Sequence, residues 1–324
     1  MKIYLRNIAL FSVFVVGGHI AYYEAIGHQK NPWEIVAFDA LLEEDVEVVY
    51  LGDSTTIDID KEDSDTRNLP TMVNDELAGH YVAAHSFAAY HGEVFEGYCR
   101  RIAKAENKPE AVIIPISMRS FSPAWDSKPE WQFEKEKFIL KYNSYWAEAL
   151  LVPLSVFRFV DLVPVDQNSY EAMPVYFGEE RAGIVGDYVN PIVDETDDEH
   201  FRKQFVLSYG YRLEKENRKL DALRNSAEHL NEAGVVPIFY IVPLDFESGE
   251  RWVGQKFSDQ LEHNVQSVIE QFELLGIEVL DLSATVGSDS FDYDWEVHEH
   301  IDEGGRRYVA EALSKKVRVA LSKR

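Results

Sequence analysis

"VEVVYLGDSTTIDID", residues 46–60, is the stretch from which the fold is read. A run that suits a buried strand stops abruptly on Gly52-Asp53-Ser54, followed by two threonines. Gly, Asp and Ser are ordinary turn formers, because each tolerates or stabilises tight backbone geometry. The same residues could instead deliver a hydroxyl nucleophile to the edge of a sheet. The rest of the chain decides between the two.

Similar apolar runs recur as "AVIIPIS" at 111–117 and "VVPIFYIVP" at 235–243, with "YVAAHSF" at 81–87 and the shorter "IEVLDL" at 277–282. Apolar residues at successive positions suit strands buried on both faces, as in a parallel sheet. Helical patterns over 93–106, 201–233, 257–275 and 303–321 alternate with them. This alternation predicts a three-layer α/β/α sandwich with a mostly parallel sheet and right-handed crossovers. The rhythm breaks at about 122–199, which reads as a helical and loop insertion. Its acidic run, 194–199, suits a solvated loop. Its Trp125, Trp131 and Trp146 suit core packing or a platform for stacking sugars.

A chain of 324 residues can hold one large α/β domain or two small ones. With 46% hydrophobic residues it has ample core, which excludes general disorder. A formal charge of -25 argues against a nucleic-acid partner, since phosphate contacts need clustered Lys and Arg. Cys99 is the single cysteine, so neither an intrachain disulfide nor a Cys-based zinc site can form. At the N-terminus, Lys2 and Arg6 precede a stretch, Asn7 to Tyr23, without Asp, Glu, Lys or Arg. That pattern predicts a signal peptide or a short membrane anchor over 1–25, followed by a connector at 26–45 and the α/β domain at 46–324. No clean small-x-small cleavage site follows, so an uncleaved transmembrane anchor is the first choice. The main domain is then extracytoplasmic, periplasmic or at the cell surface, and the membrane is a partner.

Functional groups of an open parallel sheet gather at the carboxyl ends of its strands, where Ser54 lies. A serine hydroxyl is a weak nucleophile and needs a base to take its proton. "WEVHEHIDEGGRRYVAEAL" brings His300 to the start of the closing helix. In these two pieces the chain resembles the SGNH (GDSL-type) esterases and acyltransferases, whose fold is flavodoxin-like. Gly52-Asp53-Ser54 matches the family's first block, and His300, Ile301, Asp302 and Gly305 of "HIDEGG" match its last. The resemblance covers roughly 46–120 and 200–321, outside the insertion.

The resemblance implies acyl transfer without a cofactor or metal. Ser54 would attack an ester carbonyl while His300 takes its proton. The oxyanion would be held by the N–H groups of Ser54 and of the Ala88–Ala89 region, with Ser117 standing where the family commonly has an asparagine. Arg119 would contact an anion or the substrate. The substrate would be an acylated small molecule or glycan, the acyl group an acetyl. Departures accompany the match. The aspartate that usually lies three residues before the histidine is replaced by Val297, leaving Glu296 as a carboxylate for His300, with Asp294 and His298 nearby. Two other readings follow: a non-catalytic relative that binds glycan or scaffolds an envelope complex, and a metal-dependent hydrolase using Asp53, His298 and His300.

Overall fold

The computed structural model describes residues 2–26, 33–142, 167–189, 196–292, 297 and 299–322. Five strands form the main sheet: β1 (Val48–Gly52), β2 (Val82–Ser86), β3 (Ala111–Ile116), β6 (Val236–Ile241) and β7 (Leu280–Asp281). Their order is β2-β1-β3-β6-β7, and every adjacent pair is parallel. A separate antiparallel hairpin, β4 (Pro174–Phe177) with β5 (Glu180–Ile184), lies in the insertion.

The helices that bear on the site are labelled, in chain order, α1 (Lys2–Ile26), α2 (Trp33–Glu43), α3 (Ser54–Ile57), α4 (Leu69–Glu76), α5 (Gly92–Lys104), α6 (Pro123–Asp126), α7 (Glu134–Tyr142), α8 (Asp197–Tyr209), α9 (Arg218–Glu232), α10 (Gln255–Glu273) and α11 (Glu303–Leu321); the others, Gln167–Glu171, Gly186–Val189 and Phe246–Trp252 among them, are left unlabelled. Both faces of the sheet are buried, as continuous apolar strands require. Val48, Tyr50, Ile113 and Ile238 face α4 and α11, packing with Met72, Val309 and Leu313. Val49, Leu51, Val112 and Phe239 face the other way, onto Phe95, Leu223, Val265 and Phe272 of α5, α9 and α10. The chain is a three-layer α/β/α sandwich.

The pattern read as one helix over 201–233 is two. α8 ends at Gly210, and Asn217 starts α9 by accepting from the N–H groups of Lys219 at 3.0 Å and Leu220 at 3.2 Å. Such a side chain satisfies donors that a helix start leaves without partners. The connector is built into the core, since α2 buries Ile35 and Phe38 completely.

The N-terminal run is α1, whose Leu10, Phe11, Val13 and Phe14 are exposed. Among the described residues, no helix is long and apolar enough to cross a membrane. The transmembrane helix expected there is therefore corrected: Asn7, Gly17, Gly18 and His19 dilute the apolar run.

Candidate active site

Gly52, the last residue of β1, stands where the following turn and the neighbouring strand leave no room for a side chain. A Cβ there would meet Thr56 Oγ1 at 2.2 Å and Ser86 Oγ at 2.3 Å. Asp53 then caps α3, its Oδ1 accepting from Thr55 N at 3.0 Å and Thr55 Oγ1 at 2.6 Å. Thr56 Oγ1 closes the turn by donating to the Asp53 carbonyl at 2.8 Å. Burial pushes the Asp53 carboxyl above its ordinary range, although the Thr55 hydrogen bonds and Arg119 oppose this. These bonds make Asp53 the builder of the turn, and Ser54 becomes the first residue of α3 at the carboxyl edge of the sheet.

β2 runs beside β1 with Ser86 in register with Gly52, so the loops that leave the two strands lie side by side. Phe87 N–H donates to the Gly52 carbonyl at 3.2 Å and ties them together. Ala89 follows with φ 65°, the left-handed region that a residue with a Cβ rarely adopts. Strain of this kind is kept where surrounding structure enforces it, often at functional sites. Here the enforcement is downstream: His91 caps α5, its Nδ1 accepting from Glu93 N at 3.4 Å, while Nε2 lies 3.1 Å from the Trp131 carbonyl. Among the described residues, the N–H groups of Ser54, Ala88 and Ala89 find no acceptor within the chain. They are the donors an oxyanion would need.

His300 reaches this edge through a clamp that the sequence did not reveal. Arg306 of α11 is fully buried. It donates to Asp63 Oδ2 at 2.5 Å, to the carbonyls of Arg67 at 3.2 Å and Asp65 at 2.8 Å, and to Ile301 O at 3.1 Å. The segment after α3 is thereby fastened to the segment carrying His300. His300 Nε2 comes to 3.3 Å from Asp58 Oδ2, an ion-pair distance whose angle is not that of a directed hydrogen bond. Asp58 is the C-cap of α3, and its N–H donates to the Ser54 carbonyl at 3.0 Å. The imidazole and Ser54 therefore flank the same helical turn. Among the described residues, no hydrogen bond joins the two side chains.

Val297, Glu299 and Ile301 are all 5% exposed or less. Glu299, between two buried apolar residues, points inward. It accepts from Ser117 Oγ by a short hydrogen bond, from Arg119 N at 2.9 Å and from Tyr209 OH at 3.2 Å. Burial pushes its carboxyl up to about 7; Arg119 and the Ser117 hydrogen bond pull the other way. Ser117, expected as an oxyanion donor, thus has its hydroxyl committed to Glu299. Arg119 donates from Nη1 to Val297 O at 3.2 Å and influences Asp53, Asp58 and Glu299 through its charge.

Glu299, Asp58 and Arg306 were missed by sequence reasoning. A period-two reading of "VHEHI" contained the signal for Glu299, since it places that carboxylate on the face of Val297 and Ile301. Asp58 and Arg306 carry no local signal. Glu296, Asp294, His298 and Trp146 lie outside the described residues.

A scan against protein-family models finds no match, and a search of curated proteins finds none. Among solved structures, the native aryl esterase of M. Smegmatis is 11% identical, covering 85% of this chain and 99% of that one, with a TM-score of 0.38. A catalytic mutant of an acetylxylan esterase from Geobacillus stearothermophilus is 11% identical, covering 83% and 93%, with a TM-score of 0.38. A structure described as of the G-D-S-L family, from Desulfitobacterium hafniense, is 13% identical, covering 83% and 97%, with a TM-score of 0.35. These likenesses transfer no role to any residue of this chain.

Proposed function

We propose that the chain is a serine esterase or O-acyltransferase, with Ser54 as nucleophile and His300 as its base. The observation that carries this reading is the arrival of His300 at the turn that Ser54 begins, next to N–H groups that have no acceptor among the described residues. The Gly52-Asp53-Ser54 and "HIDEGG" resemblance to SGNH enzymes points the same way.

In this mechanism the imidazole turns from Asp58 to Ser54 and takes the hydroxyl proton as Oγ attacks the ester carbonyl. The N–H groups of Ser54 and of Ala88 or Ala89 hold the resulting oxyanion. Collapse expels the alcohol, which receives the proton from His300 and leaves acyl-Ser54. Water, or a hydroxyl acceptor in a transferase, then releases the acyl group by the reverse proton route. Loss of one oxyanion donor typically costs about 10²–10³ in rate, so two backbone donors without an asparagine predict slow turnover. Acetyl as the acyl group and a surface glycan as its bearer complete the proposal. So does attachment of the domain outside the cytoplasm, at a membrane that the exposed apolar side chains of α1 would meet.

The test is labelling by a fluorophosphonate probe together with aryl-acetate hydrolysis. Wild type should label, Ser54→Ala should not, and His300→Ala should label more slowly. Lack of both labelling and hydrolysis in wild type would select the non-catalytic reading. The Asp58 contact and the Val297 departure favour that rival. Loss of hydrolysis on chelation would select the metal-dependent one.

A further inference from the structure

Beside the candidate active site, on the insertion side, lies a cavity of about 420 Å³. Such a volume suits a ring-sized ligand. Arg119, Trp125, Lys128, Trp131, Tyr170 and Ser208 are among the residues lining it. The Trp125 and Trp131 ring centroids are 4.6 Å apart. The Arg119 guanidinium lies 5.3 Å from the Trp125 centroid, and Lys128 Nζ 5.6 Å from that of Trp131.

The charge of this cavity is opposite to that of the chain. The protein carries -25, yet none of the described lining residues is Asp or Glu. Arg67, Arg100, Arg101, Arg218 and Arg306 each meet a carboxylate. Arg119 and Lys128, by contrast, form no ion pair among the described residues. Two donors are also left over. Arg119 Nε and Trp125 Nε1 are buried without a hydrogen-bond partner, and Trp125 is only 3% exposed. Both belong to residues that line the cavity, and a buried donor without an acceptor costs free energy.

We propose that this cavity binds the carboxylate-bearing ring of an acidic saccharide. The partly exposed Trp131 face stacks the ring, and Arg119 and Lys128 receive the carboxylate. Arg119 connects the cavity to the reaction edge, because its charge also acts on Asp53 and Asp58. The inference deepens the esterase reading and rests on it for the saccharide's role as substrate: the uronate would sit in the cavity while its ester approaches Ser54.

Binding is tested apart from catalysis. The full chain carrying Ser54→Ala is titrated, by tryptophan fluorescence, with a uronate trisaccharide and with the same trisaccharide after its carboxylates are reduced to alcohols. The uronate should bind and the reduced form should bind at least about tenfold more weakly, as expected when a charge-assisted contact is lost. Arg119→Gln should lose about tenfold in uronate affinity. Lys128→Gln, at an exposed position, should weaken binding and flatten its salt dependence. Equal affinity for the two trisaccharides, no uronate binding, or unchanged affinity in both variants would overturn the proposal. Aryl-acetate hydrolysis by the wild type reports separately on the esterase reading.

Discussion

Glu299→Gln should change how stability depends on pH. Glu299 is 1% exposed and its carboxyl is pushed up to about 7, chiefly by burial, from an ordinary 4.5. The native chain therefore holds this proton more tightly than the unfolded chain does. Its contribution is fully present below pH 4.5 and is lost as pH rises through about 7. The difference between about 7 and 4.5, at 1.36 kcal/mol per pKa unit, amounts to about 3 kcal/mol, most of which falls between pH 5 and pH 8. Glutamine cannot ionise, yet it keeps the shape. Its carbonyl can accept from Arg119 N and Tyr209 OH, and its amide can donate to Ser117 Oγ once that hydroxyl turns.

Urea unfolding of both proteins at pH 5, 6.5 and 8 measures the effect. The double difference removes every group that titrates alike in the two. Relative to wild type, Glu299→Gln should gain about 2–3 kcal/mol on going from pH 5 to pH 8, with unchanged m-values. Parallel pH profiles would refute the reasoning. They would mean that the three donors and Arg119 hold Glu299 ionised despite its burial.

Gly52→Ala should cost about 1–3 kcal/mol by overpacking, since its Cβ would overlap Thr56 Oγ1 and Ser86 Oγ; chemical denaturation checks this. Arg306→Ala should cost about 3–5 kcal/mol because it leaves Asp63 buried without its partner, whereas Arg306→Met with Asp63→Leu should cost less; the comparison is made by denaturant midpoints. Asp58→Ala should speed fluorophosphonate labelling of Ser54 by releasing the imidazole nitrogen that now faces Asp58. A slower reaction would assign Asp58 to orienting His300 instead.

Much of the fold was legible in the sequence because its strands are buried on both faces and announce themselves without a partner. All five strand-like runs are strands, though the last shrinks to Leu280–Asp281. What the helical pattern concealed was a stop: Gly210 and the Asn217 cap interrupt a periodicity that otherwise continues. The site was legible only where chemistry coincides with a strand end, as at Ser54, or a helix start, as at His300. Residues that act across the fold left no local mark. Arg306 looks like any polar helical residue until α11 turns it beneath the segment after α3, where Asp63 awaits it. Glu299 looks like part of an acidic surface until its neighbours Val297 and Ile301 are seen to be buried. That single register also explains the fate of Ser117. Once Glu299 faces inward it needs donors, and Ser117 and Arg119 at the end of β3 are the ones the sheet supplies. The position that resembles an oxyanion donor is thereby turned into support for a buried carboxylate. What remains for an oxyanion is backbone: the first N–H of α3 and the strained loop at Ala89, held by bonds that no sequence motif records.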